Sequence, residues 1–184
     1  MRRACQLLLP LLLLLMPGSA AAREGLFLRF GLGPGVVVEG GPVQGTVLAL
    51  PAKDHAIGYG LTEHFAVQLA DFGALVYQQV GEYEYLNLDG LGPGVTVFLP
   101  RNALVSLSAG YGAVGFARKW WEATGSDKHG GIAISASARK EWPLSRKWAL
   151  GVGGQACFFR TSRADYTFCV LSAEASAAFY LVPS

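Results

Sequence analysis

From Leu104 to Phe116 the chain reads LVSLSAGYGAVGF, and its two parities differ in kind. Val105, Leu107, Ala109, Tyr111 and Ala113 share one parity, while Ser106, Ser108, Gly110 and Gly112 share the other. A period of two predicts an extended strand with one apolar face. The opposite face carries glycine and serine where a strand facing bulk water favours lysine or glutamate. Small polar side chains suit a narrow, crowded interior. The pattern predicts a strand of a transmembrane β-barrel, with lipid outside and a packed polar lumen inside.

The same alternation recurs on both sides of this stretch. Leu26, Leu28, Phe30 and Leu32 oppose Phe27, Arg29, Gly31, Gly33 and Gly35, and a charged Arg29 among glycines reads as lumen-facing. Phe65, Val67 and Leu69 oppose Ala66, Gln68 and Ala70, after which Asp71 breaks the parity and implies a bulge or the external end. Tyr77 to Tyr85 reads as an external loop. In Leu86 to Leu99 the expected outward set starts as Leu86 and Leu88, against Asn87 and Asp89, and then changes to Leu91, Val95, Val97 and Leu99. A bulge at Gly90 to Gly94, where Pro93 cannot donate to a ladder, would reconcile the halves.

Ile132, Ile134, Ala136 and Ala138 face out and Ser135, Ser137, Arg139 and Glu141 face in. Trp148, Leu150, Val152, Ala156 and Phe158 oppose Ala149, Gly151, Gly153 and Gln155. The final strand puts Leu171, Ala173, Ala175, Ala177 and Phe179 on lipid and Ser172, Glu174 and Ser176 in the lumen. Between Val37 and Leu61 the pattern is weak. Glu39 to Pro42 reads as a tight turn followed by an extra strand, or the region to His55 is a long external loop; the loop is the preferred reading. Short turns at 62–64, 100–102 and 144–147 then lie on one side, and longer loops on the other. The expected fold is all-β, an eight-stranded antiparallel up-and-down transmembrane barrel, with ten strands as the alternative. Trp142, Trp148, Phe179 and Tyr180 gather at strand ends, where interfacial girdles sit.

The N-terminus sets the compartment. Arg2 and Arg3 precede an apolar run from Leu7 to Met16, closed by Pro17, Gly18, Ser19 and three alanines. This is the layout of a secretory signal peptide over residues 1–22, leaving 23–184 as one barrel domain. No mature segment offers the roughly 20 consecutive apolar residues of a spanning helix. Of 15 basic and 13 acidic residues, the expected cleavage removes two basic ones, so the mature chain is formally neutral. Nucleic-acid binding therefore loses its electrostatic motive. Cys157 and Cys169 survive, and an oxidising compartment favours a disulfide between them. The parities argue against it, because they place the two cysteines on different faces unless a bulge intervenes.

The signal peptide, the short-turn and long-loop asymmetry, GPGV followed by alternation, the LVSLSAGYGAVGF strand and the terminal ASAAFYLV together resemble the small outer-membrane barrels of the OmpX and opacity type. That resemblance implies a bacterial outer-membrane location, insertion by the outer-membrane assembly machinery, and a role in envelope integrity, adhesion or surface interaction without catalysis. Such chains commonly end in an aromatic residue, whereas here Tyr180 is followed by Leu181, Val182, Pro183 and Ser184.

Gly110-Tyr-Gly-Ala-Val-Gly115 matches the GxGxxG string of dinucleotide sites, which needs a following helix to offer its amides to pyrophosphate. Phe116 to Asp127 lacks a helical stripe, so no cofactor is expected. GLGPGV occurs at Gly31 to Val36 and again at Gly90 to Val95, on strands expected to run in opposite senses. His55, His64 and His129 have no ligand spacing, so no metal is expected. Lipid A deacylases use serine and histidine on a similar barrel. Lys128-His129-Gly130-Gly131 lacks a serine two residues on, so no catalytic residue is assigned.

The remaining candidates are interactive. Arg118, Lys119, Trp120, Trp121 and Lys128 form a basic, aromatic external loop suited to lipopolysaccharide, lipid or a partner. In the lumen, Arg139, Glu174, Glu141 and Arg29 are expected to form a charge network that plugs the interior. With the turn centred near Ser145, Arg139 falls level with Gly151, and Gly153 level with Glu174. The chain is expected to act as a monomer. An outer-leaflet lipid hydrolase and a soluble periplasmic lipocalin-like binder are the alternatives.

Overall fold

The computed structural model describes residues 24–40, 43–80, 83–119, 128–162 and 166–181. The expected signal peptide, Trp120, Trp121 and the side chain of Lys128 lie outside what is described. Eight strands follow in order: β1 Gly25–Gly40, β2 Val43–Thr62, β3 Phe65–Val80, β4 Tyr83–Leu99, β5 Ala103–Ala117, β6 Lys128–Pro143, β7 Trp148–Thr161 and β8 Thr167–Leu181. Each pairs antiparallel with the next, and β1 pairs with β8, so the sheet closes into an up-and-down barrel.

The register fixes its stagger. From Leu26, paired positions run through Tyr59, Val67, Val95, Leu107, Ala136, Ala156 and Leu171 back to Val36, ten positions further along β1. Every residue on that circuit is apolar. Eight strands at this stagger tilt by about 40°, so each residue along a strand gains roughly 2.5 Å of height.

The short turns are closed by local chemistry. Thr62 Oγ1 accepts from the amides of His64 and Phe65, at 3.2 and 3.1 Å. Ser145 Oγ does the same for Lys147 and Trp148, at 3.2 and 3.1 Å. Between β4 and β5 a single 3₁₀ turn, Pro100–Asn102, holds Arg101 and Asn102 at positive φ. Trp148 and Phe179 meet at a tilt on the outside near this end, with ring centroids 4.8 Å apart, and Tyr77 and Tyr85 meet at 5.3 Å near the other.

Five expectations are corrected. Tyr77 to Tyr85 is not a loop, since β3 runs to Val80, β4 starts at Tyr83 and Tyr77 pairs with Tyr85. Val37 to His55 is not a loop: β1 extends to Gly40 and β2 starts at Val43, so one long hairpin replaces loop and extra strand alike. Parity on β4 never switches; Leu86 and Leu88 are fully buried in the lumen, Asn87 and Asp89 lie on the outer face, and no bulge interrupts the pairing of Leu99 to Tyr85 with its neighbours. Asp71 likewise marks no bulge, since β3 keeps its register on both sides of it. Tyr180 belongs to no outer girdle, because it points inward and is buried.

The disulfide is absent as well. Cys157 and Cys169 are both free. Cys157 sits inward, level with Val170, while Cys169 sits on the outer face level with Phe158. A wall one chain thick therefore separates the two sulfurs, as period-two geometry requires.

Candidate functional site

The inward faces of the strands build three layers. Phe27, Phe98, Leu104, Ala149 and Ala178 pack with Tyr180 at the end carrying the short turns. Phe72, Leu86, Leu88, Val114, Phe159 and Phe168 fill the opposite half, with Phe72 and Phe159 in ring contact at 6.1 Å. Between them lies a belt of buried polar side chains.

Arg139 on β6 anchors that belt. Its Nη2 is ion-paired with Asp54 Oδ2 on β2 and lies 3.5 Å from Glu174 Oε2 on β8. Strands β2 and β6 are four apart in a ring of eight, so the Arg139–Asp54 pair crosses the lumen from wall to wall. Gly153 opens the way from Arg139 to Glu174: it stands between them in one row, and its missing side chain leaves the strand bare. The expected level of Arg139 was Gly151; the turn is centred one residue later, and Glu141 takes that place instead. Ser172 Oγ donates to the other oxygen of Glu174 at 3.0 Å.

Arg29 and Glu141 take separate partners. Arg29 Nη2 donates to Gln68 Oε1 at 3.2 Å and to Ser106 Oγ at 3.4 Å, and its guanidinium lies 5.9 Å from the Phe27 ring. Gln68 is held in turn by Thr96 at 2.8 Å and gives its amide to Ser108 at 3.0 Å. Glu141 Oε2 accepts from the Tyr180 hydroxyl at 2.8 Å. Local parity cannot reveal such pairings, which join strands distant in sequence. Asp54 carried a usable signal nonetheless: Ala52, Asp54, Ala56, Gly58 and Gly60 alternate with Lys53, His55, Ile57, Tyr59 and Leu61. Charges on both faces masked it.

Arg118 and Lys119 are exposed just beyond β5, at the end opposite the short turns. His129 meets the rings of Phe116 and Tyr166 at 6.1 and 5.8 Å, His55 sits on the outer wall against Phe30 at 5.5 Å, and His64 lies in the first short turn. Among the described residues no three metal-ligating side chains gather. The GYGAVG string lies wholly within β5, where a Cβ on Gly110 would come 2.5 Å from the Cα of Gly92; the glycines let β4 and β5 approach.

An apolar outer circuit around a buried polar belt is the arrangement of a barrel that crosses a bilayer. The chain has the fold of the small outer-membrane β-barrels. It is similar to Neisserial surface protein A, with a TM-score of 0.63 at 9% identity over 86% of this chain and 98% of that one. It is also similar to Ail, the attachment invasion locus protein of Yersinia pestis, with a TM-score of 0.51 at 11% identity over 85% and 99%. Ail in complex with the heparin analogue sucrose octasulfate superposes with a TM-score of 0.52, at the same identity and coverage. No protein-family model and no curated protein matches the chain.

Proposed function

We propose that this protein is a non-catalytic resident of the bacterial outer membrane, closed to ion flow, that works through its external end. The observation carrying this reading is the contrast between wall and lumen. Leu32, Leu107, Val152 and Leu171 are among many large apolar side chains exposed around the wall, while Arg29, Asp54, Arg139, Glu141 and Glu174 are buried inside. Such a surface is costly in water and suited to hydrocarbon. The lumen is filled by side chains, as an eight-stranded barrel allows.

Membrane fractionation followed by electrophoresis with and without boiling tests the location. The folded barrel is expected to stay with outer membranes and to migrate differently when unboiled; recovery in the soluble periplasm would contradict it. Insertion would proceed through the outer-membrane assembly machinery, so depletion of that machinery is expected to lower the amount recovered.

The external end supplies the interaction. Arg118, Lys119 and Arg160 are exposed there, and Lys128 opens β6. Phosphate-bearing lipopolysaccharide is the anionic surface these cations would meet, and Ail, a barrel of the same fold, has been determined with a sulfated polyanion. Replacing Arg118, Lys119 and Lys128 together is expected to weaken co-purification with lipopolysaccharide; unchanged association would remove this part of the proposal.

A further inference from the structure

The outer wall of β2, β3 and β4 breaks the rule that the rest of the belt obeys. Lys53 Nζ lies 2.8 Å from Asp71 Oδ1 and 3.0 Å from Asp89 Oδ1, and the three side chains are 28%, 42% and 34% exposed. This is not the rim of the barrel. Along β2 the outer face below Lys53 carries His55 and then Ile57, with Leu50 above, and Leu69 and Leu91 sit beside the carboxylates on β3 and β4; Ile57, Leu50, Leu69 and Leu91 are all exposed and apolar. The charges thus stand inside the apolar band, where charge on the lipid face of a barrel destabilises according to depth. Hydrocarbon offers no hydrogen bonds to the remaining ammonium proton or to the spare carboxylate lone pairs.

The arrangement is self-complementary. Lys53, Gly73 and Asp89 occupy one row across the three strands, and Asp71 lies two residues below Gly73 on β3. At a strand tilt of about 40°, Lys53 and Asp71 fall on opposite sides of a vertical line through Gly73, each roughly 4 Å from it and within about 2 Å in height. A two-fold axis along that line therefore brings Lys53 of one copy level with Asp71 of another. Gly73 at the centre is itself buried, and its missing side chain lets Lys53 lie flat across β3 to reach Asp89 on β4, so the salt bridge forms the surface where two barrels would approach most closely. We propose that this wall is the contact of a parallel homodimer in the membrane, with Lys53 of each copy bridging to the second copy's Asp71. The contact is isologous, so both bridges form at once. It removes four carboxylates and two ammonium groups from lipid, and it replaces the expected monomer. The proposal rests on the chain spanning a membrane.

Complementation between two variants tests it in lipid nanodiscs large enough for two barrels, read by single-molecule photobleaching. Lys53→Asp alone sets acid against acid across the axis, and Asp71→Lys alone sets lysine against lysine. Each is expected to lower the dimer fraction at least tenfold, and mixing the two before reconstitution is expected to restore it, because each copy then offers what the other lacks. A pair acting only within one chain stays broken on mixing. A wild-type monomer, variants that still dimerise, or failure of the mixture to recover would each overturn the proposal. Membrane recovery and the electrophoretic heat shift of every variant separate failure to insert from failure to associate.

Should a charge variant not insert, cysteine cross-linking in a Cys169→Ala background decides. His55, two residues below Lys53 on β2, falls almost on the proposed axis. His55→Cys is expected to give a disulfide-linked dimer and Val152→Cys, on the far wall, none. Equal linking at both positions, or none at His55→Cys, would overturn the contact.

Discussion

Removing Asp54 tests the lumen more sharply than removing any other acid. The side chains of Asp54 and Arg139 are 4% and 2% exposed, so Asp54→Ala leaves a buried guanidinium with Glu174, 3.5 Å away, as its remaining acid. Breaking a buried pair by deleting one partner costs about 3–5 kcal/mol. For a domain of this size each kcal/mol moves the midpoint by about 2–4 °C, so a fall of roughly 6–20 °C is expected. Glu174→Ala is expected to cost less, because Arg139 keeps its ion pair with Asp54. Arg139→Met strands both acids and is expected to cost most. Urea titrations of protein refolded into lipid vesicles, followed by tryptophan fluorescence, measure the order directly and avoid irreversible heating. An unchanged Asp54→Ala, or a Glu174→Ala that is worse than Asp54→Ala, would refute the claim that the cross-lumen pair holds the walls together.

Further outcomes follow from the same geometry. Tyr180→Phe leaves Glu141 Oε2 without its 2.8 Å hydroxyl donor and is expected to destabilise the barrel by about 1–3 kcal/mol, read in the same titrations. Gly31→Val should exceed it, since even a Cβ there would sit 2.9 Å from the Asp54 carbonyl and 3.1 Å from Glu174 Oε2. Intact mass without reductant is expected to show two free thiols, with Cys169 alkylated by a membrane-permeant reagent in the folded state and Cys157 only after unfolding; one disulfide, or equal reactivity, would contradict the opposed faces.

The strands legible in the sequence are those whose two faces differ in polarity throughout. In β5 to β8 the stretches around Val105, Ile134, Leu150 and Ala175 set serine, glycine and single charges in the lumen against apolar outer residues, with the outward cations Lys140 and Arg160 kept to the strand ends, and they follow the expected parity. The misreadings concentrate on β2 to β4, where polarity is inverted. Leu86, Leu88 and Phe72 are buried in the apolar upper lumen, while Lys53, Asp71, Asn87 and Asp89 face outward. Hydrophobicity marks which residues leave water, and in a packed barrel both faces do so. Parity alone therefore assigns faces only where the lumen is polar. The same inversion hid Asp54, and with it the closest partner of Arg139.

Single-channel recording of the purified protein in planar bilayers tests the central claim most directly. A barrel crossed by the Arg139–Asp54 pair and packed above it by Phe72, Phe159 and Phe168 is expected, on the proposed reading, to offer no continuous aqueous path. Protein with a verified electrophoretic heat shift is expected to leave the bilayer at its baseline conductance across the usual voltage range. A large, steady open level from that same folded protein would contradict the closed lumen.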